Sequence, residues 1–521
     1  MKILKKIMPW CWASAGIVWD VWYYIARGRQ MLDSDMASEM ILSDILNNEH
    51  SVLGLTTSWG YDEELRFINI HWFLRIGLAI FPNDWHMARI VGTTLSLLVM
   101  AFAMWLVFYA IGHPVWGAWA VALTVFPGGS WYFWQTIYGG YYMIYITVPL
   151  LTFALIVLTL RDINSLRNRI YGLCGILLGL CMGLNGVKGI MLFYAPLMLA
   201  AVLIAAMKLQ SSVAGRVSFL VLSTLVSAAA GVGYLINSKI LSERYFFVDW
   251  SDMEIRYRDF LGIARSYLWS FGYAENKTLM SMTGLAAVCG IIFGGIVFLS
   301  GGRLILKIRQ LEDKEQLLVV LSVTCILFCC FVFSYTEKGG VQYFQPVVPY
   351  GYILVVIGIF TGKLSKNEPG VLIAVNMTML LLVVASAGTV HNEADDPLHT
   401  YRARPTLQPV VDNLLEQGYT QGVALFWTAN LVTELSDGKI DMWTLDYPGQ
   451  EYKISQQRSF HLERDPGGRY FYIFDYGKEP GYLQEWYDKE TEAGMTYIKD
   501  HPYPDELREI YRDDVFVVYG N

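Results

Sequence analysis

The sequence predicts an all-α polytopic membrane domain followed by a small soluble α/β domain. Three observations carry that prediction. Of the 521 residues, 54% are hydrophobic and only 16% are charged, a balance foreign to a water-soluble fold of this length. Eleven stretches are long and apolar enough to cross a hydrocarbon core of ~30 Å, which takes about 20 residues. Beyond residue 390 the charge reverses: residues 391–521 hold 24 Asp and Glu against 12 Lys and Arg, whereas the preceding chain holds 22 against 27. The 17 Trp and 33 Tyr fit a protein with many helix ends at membrane interfaces.

The eleven apolar stretches are 8–26, 87–111, 114–134, 139–160, 170–186, 189–207, 216–237, 279–302, 316–335, 343–362 and 369–389. The opening MKILKK and the apolar residues after it read as a retained first helix, because Trp, Tyr and Asp20 crowd the stretch and no small-residue cleavage pattern precedes Arg27. Dense positive charge marks the inner loops: Lys2, Lys5 and Lys6, then Arg161, Arg167 and Arg169, then Lys208 and Arg216. Arg303, Lys307, Arg309, Lys314, Lys363 and Lys366 continue the pattern. The outer loops 27–86 and 238–278 dilute their cations among acids. Segment 70–81, IHWFLRIGLAIF, is too short to cross and reads as an interfacial helix. With the N-terminus cytoplasmic, residues 1–390 form the membrane domain and the tail from about 395 is extracytoplasmic.

In the tail, VVDNLLEQG is a helical phrase closed by Gly, while GVALFW, YFYIFDYG and DDVFVVYGN read as strands. No phosphate loop, metal motif or triad spacing appears there, so residues 395–521 read as an accessory domain. All seven cysteines lie in apolar stretches, which excludes a disulfide framework or a zinc pattern. The acidic tail and dispersed basic residues exclude nucleic acid as a partner.

The densest polar cluster follows the first crossing, in LDSDMASEMILSDILNNEHSVLGLTTSWGYDEELRFINIHWF. Asp35 and Glu39 stand four residues apart and share a face if MASEMILSDIL is helical, with Asp33 and Asp35 near that helix's N-terminus. A helix N-terminus favours carboxylates, so each is also explained as an N-cap. Paired carboxylates in one loop can hold Mg²⁺ or Mn²⁺, but oxygen ligands leave no spacing signature, and the metal requirement stays open.

The acidic opening Asp33-Ser34-Asp35 before Met-Ala-Ser-Glu39-Met-Ile-Leu, placed after a first helix with an inside N-terminus, resembles the membrane glycosyltransferases of superfamily C (GT-C). The likeness is to the protein mannosyltransferase and aminoarabinose transferase group, which also has surface helices in this loop and an external soluble tail. A second point of resemblance is Gln342-Tyr343-Phe344-Gln345-Pro346-Val347-Val348-Pro349, where the group has Arg-Tyr-x-x-Pro-x-x-Pro. Glutamine replaces the arginine at 342, leaving Lys338 as the nearest cation.

The resemblance implies a polyprenyl-phosphate sugar donor, an extracytoplasmic glycan, lipid or protein acceptor, and an inverting displacement that requires no cofactor. Asp35 is then the expected general base and Asp33 the alternate. Arg66, Arg89 and Lys338 are expected at the phosphate, with Glu39, Glu64 and Gln342 as further substrate-binding candidates. The second outer loop carries Asp249, Asp252, Glu254, Arg256, Arg258 and Arg265 among aromatics, and 252–270 reads mostly as an amphipathic surface helix. The rival readings are a transporter or flippase of envelope precursors, with Asp20 and Lys188 as its in-membrane charges, and a non-catalytic envelope assembly protein.

Overall fold

The computed structural model describes residues 2–62, 65–245, 260–273, 278–334, 341–361, 368–390, 403–445, 452–453, 455–476 and 507–521. The chain opens with α1 (Lys2–Met31) and, after two residues, α2 (Ser34–Asn48). A two-residue strand, β1 (Trp59–Gly60), precedes α3 (His71–Ile80) and α4 (Trp85–Ile111). The ten residues of α3 cover about 15 Å, half the thickness of a hydrocarbon core. Its Gly77 sits so close to α4 that a Cβ there would lie 2.0 Å from the Ala88 carbonyl oxygen.

Every apolar stretch is helical, but three are interrupted where the sequence removes hydrogen-bonding capacity. Stretch 114–134 divides into α5 (Pro114–Val125) and α6 (Ser130–Tyr132), separated at Pro127-Gly128-Gly129; α6 then widens into a π-helical turn over Phe133–Tyr138. Stretch 139–160 becomes regular only at α7 (Ile144–Leu160), after Gly140 takes the left-handed conformation at φ 75°. α8 (Leu166–Leu184) ends at Asn185-Gly186, and the next stretch begins as a π-turn (Ile190–Tyr194) before α9 (Ala195–Ala206), because Pro196 has no N–H to offer its preceding turn.

The remaining helices are α10 (Val213–Ile236), α11 (Phe260–Trp269), α12 (Met282–Leu306), α13 (Asp313–Ser334), α14 (Val348–Thr361) and α15 (Glu368–Val390). A 3₁₀ turn over Val341–Val347 leads into α14. The expected surface helix at 252–270 is seen in its later part as α11; residues 252–259 lie outside the described residues.

Small residues bring α8 and α10 into backbone contact. A Cβ at Gly183 would lie 2.0 Å from the Ala230 carbonyl oxygen, and one at Gly233 would lie 2.2 Å from that of Leu180. Close approach of this kind replaces the hydrophobic driving force that lipid cannot supply. The opposite face of α10 leaves Val217, Val221, Leu225, Val232 and Leu235 about half exposed, an apolar stripe suited to lipid. Among the described residues six helical segments are long and apolar enough to cross a bilayer: Trp85–Ile111, Val213–Leu241, Met282–Leu306, Asp313–Phe333, Tyr343–Thr361 and Pro369–Gly388. The chain is a multi-pass membrane protein.

The tail folds as an α/β unit, with α16 (Leu407–Glu416), β2 (Gln421–Leu425), α17 (Phe426–Leu435), β3 (Asp441–Leu445), β4 (Gln457–Arg458), β5 (Phe471–Asp475), β6 (Arg508–Arg512) and β7 (Phe516–Gly520). Five strands form one sheet in the order β3-β2-β5-β7-β6. Strand β2 runs parallel to β3 and β5, and the last two pairings are antiparallel. The helical phrase is α16, closed at Gly418 with φ 79°, and the three expected strands are β2, β5 and β7.

This unit is fastened to the membrane domain. Strand β4 pairs antiparallel with β1, Trp59 opposite Arg458 and Gly60 opposite Gln457. Ala403 N–H donates to the Leu32 carbonyl at 2.7 Å, and α17 packs along α2. Gly438, at φ 73°, lies against Trp85 so closely that a Cβ would come within 2.5 Å of the indole.

Candidate active site

Asp33 ends the extended approach to α2 and caps it: its Oδ1 accepts from Met36 N–H at 2.6 Å and from the Tyr141 hydroxyl at 2.5 Å. The carboxyl is fully buried. Burial, and after it the charge of Asp35, pushes its pKa up to about 8 against the downward pull of those hydrogen bonds. Asp33 is thus held toward its neutral form as the cap of α2, and it does not line the cavity that Asp35 faces.

Asp35, two residues further on, lines a cavity of about 400 Å³. Its Oδ1 accepts from the Gln456 side-chain amide at 2.7 Å. Gln456 belongs to the tail and reaches this position because its own backbone N–H is held by the Gly60 carbonyl at 2.6 Å and its carbonyl by Asn430 at 3.1 Å. A second carboxylate, Asp62, lines the same cavity.

Two cations face these acids, Arg66 and Lys188. Arg66 takes a left-handed φ of 55° and its guanidinium is ion-paired to Glu39, which is fully buried one turn beyond Asp35. Burial lowers the Arg66 pKa, and the charge of Asp35 opposes that shift. Glu39 therefore orients Arg66 and does not itself line the cavity. Lys188 lies just after the break at Asn185-Gly186, with its ammonium 5.7 Å from the Tyr142 ring centroid, 5.8 Å from Tyr145 and 5.9 Å from Tyr343. Asn185 fixes that break against the outer loop, accepting from Ile68 N–H and donating to its carbonyl, both at 2.8 Å.

The interrupted helices supply the rest of the wall. Trp131, Trp134 and Gln135 come from α6 and its π-turn, Tyr141 and Tyr142 from the irregular entry to α7, and Tyr343 from the 3₁₀ turn. Irregular backbone at membrane depth is tolerated where it lines a cavity, and π-turns concentrate at functional sites. Trp427 of α17 adds an aromatic from the tail. Carboxylates, cations and aromatic faces in one enclosure suit a sugar phosphate: rings for the sugar faces, carboxylates for hydroxyls, cations for phosphate oxygens.

Not every expected residue is here. Arg89 is buried in α4 and makes a bidentate pair with Glu434 of α17, Nε to Oε1 and Nη2 to Oε2, each at 2.6 Å, with Nη2 also donating to the Met36 carbonyl at 2.8 Å. It fastens the tail to α2 and does not face the cavity. Glu64 and Lys338 lie outside the described residues, as does the side chain of Gln342; its neighbour Tyr343 lines the cavity. Sequence reading missed Gln456 and Trp427 because no motif marks them. Lys188 was conspicuous only as a charge within an apolar stretch.

No protein-family model matches the sequence, and no curated protein matches it. Solved structures do. The chain aligns over 97% of its length, and 97% of the other's, with ArnT from Cupriavidus metallidurans bound to undecaprenyl phosphate, at 12% identity and a TM-score of 0.56. It aligns over 90% of its length with 70% of the Archaeoglobus fulgidus oligosaccharyltransferase in its apo form, at 10% identity and a TM-score of 0.51. This chain shares the fold of these two proteins.

Proposed function

We propose that the protein is a membrane glycosyltransferase that moves a sugar from a polyprenyl-phosphate donor to an extracytoplasmic glycan, lipid or protein. The observation that carries this reading is the cavity in which Asp35, anchored by Gln456, faces Arg66 and Lys188 between aromatic walls. The fold adds support, since ArnT, which shares it, was crystallised with undecaprenyl phosphate.

In this reaction the acceptor hydroxyl oxygen attacks the anomeric carbon while Asp35 takes its proton. The bond from that carbon to the phosphate oxygen breaks, and polyprenyl phosphate departs with the electron pair, inverting the anomeric configuration. Arg66 and Lys188 stabilise the charge that grows on the departing phosphate. Lys338 remains a proposed additional cation and Gln342 and Glu64 proposed substrate contacts. Glu39 acts through Arg66, and Asp33 acts by capping α2.

The proposal includes eleven crossings, a cytoplasmic N-terminus and an extracytoplasmic tail. Purified protein incubated with a panel of polyprenyl-phosphate sugars and candidate acceptors should release lipid phosphate in proportion to acceptor. Absence of release from every donor, in protein whose tail remains folded, would count against the enzyme reading. Protease added to intact cells should remove the tail; cleavage only after the membrane is opened would overturn the topology.

A further inference from the structure

A second polar cluster sits at the far end of the bundle. α4, whose Arg89 donates to the Met36 carbonyl of α2, ends at Ile111, and its left-handed cap Gly112, at φ 103°, leads to His113. There His113 meets Glu312 and Glu315 at the start of α13, around a cavity of about 330 Å³ that Trp116, Arg303 and Lys307 also line.

Two of the three side chains, His113 and Glu315, are held in place before any ligand arrives. The His113 imidazole lies flat on the Trp116 indole, with centroids 3.7 Å apart and planes 6° apart, and Trp116 stacks on Phe360 at 5.2 Å. Glu315 reaches back with Oε2 to accept from Glu312 N–H at 3.0 Å, as in a capping box. That bond turns Oε1 toward the ring, and Glu315 is 95% buried, its side chain only 5% exposed.

The distances fit a shared ion. His113 Nε2 lies 3.1 Å from Glu315 Oε1 and 3.8 Å from Glu312 Oε2, and the ligand atoms of all three residues fall within 4.8 Å of one another. Zinc bonds to nitrogen and oxygen of about 2.0–2.2 Å at a tetrahedral angle imply ligand-to-ligand edges of roughly 3.3–3.6 Å. The two edges bracket that range. Nε2 is buried, and despite the 3.1 Å approach it makes no in-line hydrogen bond, so the pair lacks the geometry of an ordinary histidine–carboxylate contact.

We propose that His113, Glu312 and Glu315 bind one divalent transition-metal ion of the Zn²⁺ type, with the fourth coordination position open to the cavity. One imidazole and two carboxylates give the ion a neutral site, and Arg303 and Lys307 in the wall favour a small anion or water as the fourth ligand. The ion ties the α4–α5 turn to the start of α13, at the opposite end of the bundle from Asp35. This inference is independent of the glycosyltransferase reading.

The test uses full-length protein in detergent, stripped with EDTA and titrated with Co²⁺, whose tetrahedral complexes absorb visibly. One equivalent should bind saturably, Zn²⁺ should displace it, and Zn²⁺ should raise the thermal midpoint. His113→Gln and Glu312→Gln should each weaken binding at least tenfold; Glu312 is 73% exposed, so its variant keeps the fold. Asp35→Asn should bind as the parent does. Absence of saturable binding, equal binding in both site variants, or loss of binding in Asp35→Asn would overturn the proposal.

Discussion

Replacing Glu434 with Gln leaves the Arg89 guanidinium charged, buried and short of a carboxylate. The two side chains are 1% and 2% exposed and joined by two bonds of 2.6 Å, so water cannot take over the lost partner. Breaking a buried pair from one side costs about 3–5 kcal/mol, which at 1.4 kcal/mol per decade lowers the equilibrium constant for docking the tail by roughly two to three and a half orders of magnitude. Thermal unfolding in detergent, followed by limited proteolysis of the tail, should register both the loss and the release. Removing both charges with Arg89→Met and Glu434→Leu should recover most of the stability, because the desolvation penalty disappears with the pair. A Glu434→Gln protein with an unchanged midpoint and a resistant tail would refute the fastening role. If Arg89→Met alone weakened donor binding without releasing the tail, the phosphate role expected from the sequence would be restored.

Three further outcomes follow from the cavity. Asp35→Asn keeps the acceptor oxygen that Gln456 uses but cannot take a proton, so transfer should fall about 10²- to 10⁴-fold with donor binding retained; near-normal transfer would remove Asp35 as base. Arg66→Gln and Lys188→Gln should each weaken donor use by about 1.5–3 kcal/mol, the worth of a charged hydrogen bond, read as the dependence of the initial rate on donor concentration. For Asp33, the folded pKa of about 8 lies above its ordinary value, so the native state holds a proton that the unfolded chain releases. Its contribution is fully present below the unfolded pKa and is lost as pH rises through about 8. The thermal midpoint should fall as pH rises from about 4 to about 8 and level off above that, and Asp33→Asn should flatten that fall.

What the sequence disclosed was local. Apolar length located the helices, the shortness of 70–81 set it apart as α3, and the acidic opening of the first outer loop held Asp35. Gly and Pro at 127–129 and 139–140 were equally visible, yet their effect, breaking two helices to open a cavity, depends on neighbours elsewhere. Pairings across long separations were illegible. Arg89 lies 345 residues from Glu434, and Asp35 lies 421 from Gln456. A charge near an apolar stretch looks the same whether it lines a cavity, as Arg66 does, or holds a domain, as Arg89 does. The tail's contribution through Gln456 and Trp427 left no trace, because a glutamine in a loop and a tryptophan in a helix carry no motif.

The hydrogen bond from Gln456 to Asp35 also sets a schedule for biogenesis. Ribosomes extend a chain at roughly 5–20 residues per second, and these partners are separated by 421 residues. α2 therefore waits about 20–80 s after its own synthesis for the residue that orients its carboxylate. During that interval the loop has neither the β1–β4 pairing nor the Trp427 wall. The cavity around Asp35 is consequently incomplete in a nascent chain until Trp427 and Gln456 have emerged and reached it.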